Sequence, residues 1–201
     1  MKDIVDQLME KRFFTRLGSG IEGPDGFFYL PIFDAARPDT ADELSIPELV
    51  PEALKSGAGI VLNPDNEQPD AVFTFGQVWS YAEFGSFFYE PEKGSVSALD
   101  VQGDEVTVSN PSADYFPLYA RFALRRILQR AQPEMEWRVL HLQDPALDPP
   151  DALVFSLFKE DLSSEEDFDA LMFMIDWHLP PHYSIRAVDK SSELAEHFHP
   201  L

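Results

Sequence analysis

Eight aromatic residues, Phe73, Phe75, Trp79, Tyr81, Phe84, Phe87, Phe88 and Tyr89, crowd one short stretch of this chain. A helix and its flanks each offer only one buried face, so such a stretch either runs through the middle of a core or leaves aromatic rings at the surface. The surrounding charge sharpens the choice. Between Gly57 and Ala120 there is one cation, Lys93, against ten acids. Exposed rings edged by Asp70, Glu83, Glu90 and Glu92 would form aromatic anchors with an acidic rim, which suits a basic protein or a second copy of the chain.

Composition sets the frame for that reading. The 201 residues carry 36 acids and 15 Lys plus Arg, for a formal net charge of -21, yet 44% of the residues are hydrophobic and 17 are Phe. That is ample apolar material for a folded core despite the charge. The charge opposes nucleic-acid binding, because an acidic surface repels the phosphate backbone and has no counterions to release from it. With no cysteine there are no disulfides, thiolate nucleophiles or cysteine zinc sites. The N-terminus lacks the apolar run of a signal peptide and no segment approaches a membrane span, so a soluble cytoplasmic protein is expected.

Local signals predict a helix over residues 3–17, stopped by Gly18, then a strand from Phe27 to Phe33 in which Pro31 marks an edge or bulge. A short helix follows between Pro47 and Lys55, then strands at 60–62 and 72–75, and a helix from Gln77 to Phe84 with Gly85 as its C-cap. Residues 96–108 suit a hairpin around Gly103-Asp104, and the Asn110-Pro111-Ser112 turn is the expected internal boundary. Beyond it, a helix to Ala131 has Leu118, Phe122, Ile127 and Leu128 as its apolar stripe. Strands at 137–142 and 153–158, a helix opened by a Ser163/Glu166 capping box, a strand at 183–188 and a short helix at 191–198 complete the order. The fold expected is α+β, with mixed or antiparallel sheets and helices packed on one face. The two intimately packed halves, 1–110 and 111–201, also read as one composite domain.

Motifs for chemistry fail on context. Gly18-Ser19-Gly20-Ile21-Glu22-Gly23 spells a dinucleotide fingerprint but follows a predicted helix and enters a turn, whereas a phosphate loop needs a strand before it and a helix N-terminus after it. His178 and His182 have helical metal-ligand spacing, but Pro180 and Pro181 break the helix between them. No nucleophile elbow is present. No metal, cofactor or catalytic residue is therefore assigned. The basic cluster Arg121, Arg125, Arg126 and Arg130 on one helix suggests internal pairing with acids such as Glu134, Glu136 or the 161–169 run, and Arg121, Arg125 and Arg126 are the alternative anion-binding set.

The strand Phe27-Phe28-Tyr29-Leu30-Pro31-Ile32-Phe33 followed by Ala58-Gly59-Ile60-Val61-Leu62-Asn63-Pro64 resembles the N-terminal part of SseB-like (enhanced serine sensitivity) proteins. The layout of Leu153–Phe158, the Ser163–Leu179 helix and Tyr183–Val188 is similar to their C-terminal part. The resemblance implies a small bacterial α+β protein without defined catalytic residues, serving as an accessory or immunity factor. The acidic middle departs from that pattern. The expected function is a non-catalytic, acidic protein-interaction module that takes a basic protein through Asp70, Trp79, Tyr81, Glu83, Phe87, Phe88, Glu90 and Glu92. The alternative is an anion or small-molecule binder, or an unrecognised enzyme, with its pocket between the halves.

Overall fold

The computed structural model describes residues 8–90, 106–146 and 149–201. The chain forms an α+β fold in two compact units, Met1–Tyr89 and Glu90–Leu201.

In the first unit, β1 (Arg12–Thr15) pairs antiparallel with β4 (Asp42–Ser45). The larger sheet has the order β2 (Ile21–Glu22), β3 (Phe28–Ile32), β5 (Gly59–Leu62), β6 (Ala71–Phe73), parallel between β3 and β5 and antiparallel elsewhere. A parallel pair needs a crossover, and α1 (Ile46–Ser56) lies in it. Its start is written locally: the Ser45 N–H donates to Glu48 Oε2 at 2.8 Å, closing a capping box, and these bonds hold the Glu48 carboxyl below the usual range. Its end is Gly57 at φ 65°, a left-handed position that favours glycine. Ile46, Leu49, Val50, Ala53 and Leu54 face inward.

Three local expectations change here. Residues 3–7 of the expected first helix lie outside the described residues, Leu8 and Met9 are helical, and Arg12–Thr15 is a strand, buried at Phe13 and Thr15. Its partner lies some thirty residues on, beyond the reach of any local helical signal. The glycine fingerprint therefore does follow a strand, but it runs into β2, paired through Ile21 and Glu22 with Tyr29 and Phe28, so no helix N-terminus faces a phosphate. Pro31 sits inside β3 and not at a sheet edge. Phe33 exchanges both backbone bonds with Phe14, so Pro31, two residues earlier, turns its backbone the same way, where its carbonyl accepts the Thr15 hydroxyl at 2.7 Å and no ladder donor is needed.

The second unit runs β7 (Thr107–Ser109), α3 (Leu118–Ala131), β8 (Arg138–Gln143), β9 (Asp151–Phe155), α4 (Glu165–Trp177), β10 (Ile185–Arg186) and β11 (His199–Pro200). Strand β8 is central, with β9 on one side and β7 and β11 sharing the other, while β10 adds parallel to β9. Val139 to Leu142 and Ala152 to Phe155 are buried without alternation, which requires cover on both faces. Leu140, Leu142 and Val154 meet Phe198, with Leu194 and Ala195 of a 3-10 turn beside it. On the opposite face Phe116, ahead of α3, stands edge-on to Phe155 with ring centroids 6.3 Å apart.

The division at Tyr89 precedes the expected Asn110 boundary because β7 pairs with β8 and so belongs to the second unit. The expected hairpin at Gly103-Asp104 lies outside the described residues. The cap of α4 is Ser164, whose hydroxyl accepts the Asp167 N–H at 3.1 Å, one residue later than the Ser163/Glu166 pattern suggested. The expected apolar stripe of α3 splits. Ile127 and Leu128 are buried with Ala120, Ala123 and Leu124, but Leu118 and Phe122 are exposed.

Candidate functional site

The aromatic segment is built around α2 (Phe75–Phe84). Thr74 caps it: its hydroxyl accepts the Gln77 N–H at 3.1 Å, and Gln77 Oε1 accepts the Thr74 N–H at 2.9 Å. Phe75, Val78 and Trp79 then point into the core, with Trp79 only 1% exposed. Gly85 ends the helix in the left-handed conformation at φ 69°. The chain folds back, held by the Ser80 hydroxyl donating to the Ser86 carbonyl at 2.8 Å. That return buries Phe87, which stacks on Phe73 at 4.1 Å and on Tyr81 at 4.7 Å.

Trp79 and Phe87, expected as partner-binding anchors, are therefore core residues. The reason is the reversal at Gly85, which supplies a second buried wall that helical spacing alone does not reveal. Tyr81 is half-buried, and burial raises its hydroxyl pKa. Asp70 is exposed, but its carboxylate closes the preceding loop, accepting from Asn63 Nδ2 at 2.6 Å and Asn66 Nδ2 at 3.2 Å. Glu92 lies outside the described residues. At the surface remain Phe84, 45% exposed, and Phe88, together with Glu83 and Glu90. Phe84 stacks on Tyr89 with centroids 4.0 Å apart, making a two-ring stack at the C-terminal end of α2. No basic residue occupies the last turn of that helix, so its dipole adds negative potential to that of the two glutamates.

Two of the arginines of α3, Arg121 and Arg125, bond carbonyl and amide oxygens where acids or an anion were expected. Arg121 donates from Nε to the Phe116 carbonyl at 2.9 Å and from Nη1 to Asn110 Oδ1 at 3.4 Å; Nη2 bonds the Pro111 carbonyl. It ties the incoming segment to the helix, and partial burial lowers its pKa. Arg125 Nη1 reaches the Leu201 carbonyl at 3.3 Å. Arg126 and Arg130 remain exposed beside Phe122 and Gln129, and Glu136 pairs instead with Arg138 at 2.7 Å.

One polar constellation escaped the sequence reading. His141 Nε2 and Gln143 Nε2 each stand 2.9 Å from Asp151 Oδ1 across the β8–β9 pair. Tyr115 stacks on His141 at 4.3 Å and on Tyr183 at 4.8 Å, and Tyr183 donates its hydroxyl to the Tyr115 carbonyl. Burial, then the Asp151 charge, raises the Tyr115 hydroxyl pKa. Ser109 lies opposite His141 in register, but the imidazole nitrogen that faces Asp151 is committed and the ring lies against Tyr115, so the group braces the sheet. Strand register, which places Gln143 opposite Asp151, was the signal that could have found it. His178, buried at the end of α4 with Nδ1 2.8 Å from the Met174 carbonyl, has its pKa lowered to about 4, chiefly by burial. Among the described residues, no group of three or more His, Asp or Glu is placed to hold a metal ion, and no helix is long and apolar enough to cross a membrane.

No protein-family model matches the chain, and no curated protein or solved structure matches it.

Proposed function

We propose that this protein is a non-catalytic interaction module that binds a basic protein at the C-terminal end of α2. The observation that carries the proposal is the stacked Phe84–Tyr89 pair, with Phe84 exposed and Tyr89 half-buried, beside Phe88, Glu83 and Glu90 on a helix with no basic residue in its last turn. Aromatic rings supply contact area at low entropic cost, while the acids steer a cationic partner toward them. Support for this over anion capture comes from Arg121, whose donors are taken up by carbonyl and amide oxygens. The SseB-like resemblance, with its accessory or immunity role, belongs to the same reading. The test is association kinetics with a partner recovered from the native cell. Glu83→Lys with Glu90→Lys should lower the association rate at least tenfold at low salt and little at high salt. Unchanged rates would reject this surface.

A further inference from the structure

The three most exposed large apolar side chains among the described residues sit on two neighbouring helices: Leu118 (74%) and Phe122 (62%) on α3, and Phe173 (58%) on α4. Their neighbours on the two outward faces differ in charge. On α3 the exposed stripe is Leu118, Phe122, Arg125 and Gln129, with Arg126 and Arg130 beside it. On α4 it is Glu166, Asp169, Phe173 and Asp176. Both stripes repeat at alternating steps of three and four, the spacing with which one helix presents a seam to another. The first is basic and apolar, the second acidic and apolar.

A groove of about 420 Å³ opens on α3 between Phe122, Arg125, Arg126, Gln129 and Arg130. Phe122, Arg125, Arg126 and Gln129 stand at i, i+3, i+4 and i+7, the four corners of the hole that receives a knob from a facing helix. Phe173 is an apolar knob with Asp169 four residues before it and Asp176 three residues after it.

We propose that the α3–α4 face pairs with the same face of a second copy about a two-fold axis, seating each copy's Phe173 in the other's α3 groove. Two-fold symmetry turns one basic and one acidic stripe into two identical complementary contacts: α3 meets the second copy's α4, and α4 meets its α3. The same geometry disfavours pairing α3 with α3, which would set arginines against arginines. Helices of 14 and 13 residues are about 20 Å long, so the patch falls in the weak interface class and the dimer is concentration-dependent. This surface shares no residue with the end of α2, so either proposal can fail without the other.

The test is sedimentation velocity of the full chain from the low micromolar to several hundred micromolar. The expected result is a shift toward dimer mass at low salt that weakens at least threefold between 50 mM and 500 mM salt, as the screening length falls from about 14 Å to about 4 Å. Phe122→Asp should abolish the shift. So should Arg125→Glu with Arg130→Glu, and separately Asp169→Lys with Asp176→Lys, with unchanged circular dichroism. Mixing the two charge-reversed proteins restores both contacts with opposite signs, and should restore the dimer. A monomer at every concentration, an open series of larger oligomers, a dimer indifferent to these substitutions, or a mixture that stays monomeric overturns the proposal.

Discussion

Replacing Trp79 with alanine separates a core tryptophan from an interface anchor. The side chain is 1% exposed, on a helix whose other buried large apolar members are Phe75 and Val78, and the Phe87 return covers the neighbouring Phe73 and Tyr81. A buried tryptophan removes about 150–250 Å² from water, and at about 25 cal/mol per Å² this contributes roughly 4–6 kcal/mol as an upper bound. Alanine keeps only the Cβ, and the walls relax in part, so the expected loss is about 3–5 kcal/mol. A domain of ordinary stability has about 5–15 kcal/mol in total, so the first unit would unfold at much lower urea. Urea titration should be followed by far-UV circular dichroism and by the intensity of the remaining tryptophans, because two units can unfold in separate steps. Trp79→Phe, which keeps most of the volume, should lose less than half as much. A Trp79→Ala midpoint within 1 kcal/mol of native, at unchanged slope, would refute the burial argument and return Trp79 to the surface.

Further outcomes follow from other buried polar groups. The folded pKa of His178 is about 4 against 6.5 for the ordinary side chain, so the unfolded chain binds the proton first as pH falls. Stability present above pH 6.5 is then lost as pH drops toward 4, by about 3 kcal/mol at 1.36 kcal/mol per unit, and His178→Gln should lose that much less over the same interval in urea titrations. Arg121→Ala removes the bonds to Phe116, Pro111 and Asn110 and should cost about 2 kcal/mol, with faster amide exchange at the start of α3; Arg121→Lys should restore less than half. Asp151→Asn leaves the His141 and Gln143 donors poorly matched, and should destabilise the second unit by about 1–3 kcal/mol in thermal unfolding.

What could be read from the chain was mostly local punctuation. Pro47, Gly85 and the Pro180-Pro181 pair act within a few residues of themselves, and each starts or stops an element as its chemistry dictates. What failed was long-range. Arg12–Thr15 became a strand because Asp42–Ser45 lies beside it, and β7 joined the second unit because β8 does. The apolar stripe of α3 was misjudged for a different reason. Ala120 and Ala123, small and easily overlooked, share the inward face with Leu124, Ile127 and Leu128, which turns Leu118 and Phe122 outward. The site divided along the same line. Glu83, Phe88 and Glu90 are exposed as expected, whereas the fate of Trp79 and Phe87 depended on a chain reversal that no periodicity encodes.

Affinity capture from the native lysate asks whether the end of α2 holds a basic protein. Native chain should be compared with a Phe84→Ala, Phe88→Ala variant at low and at high salt, and recovered proteins quantified by mass spectrometry. The expected recovery is one basic protein, abundant on the native chain at low salt, reduced at high salt and lost from the variant. Equal recovery on both chains, or an empty capture on the native chain at both salts, would contradict it.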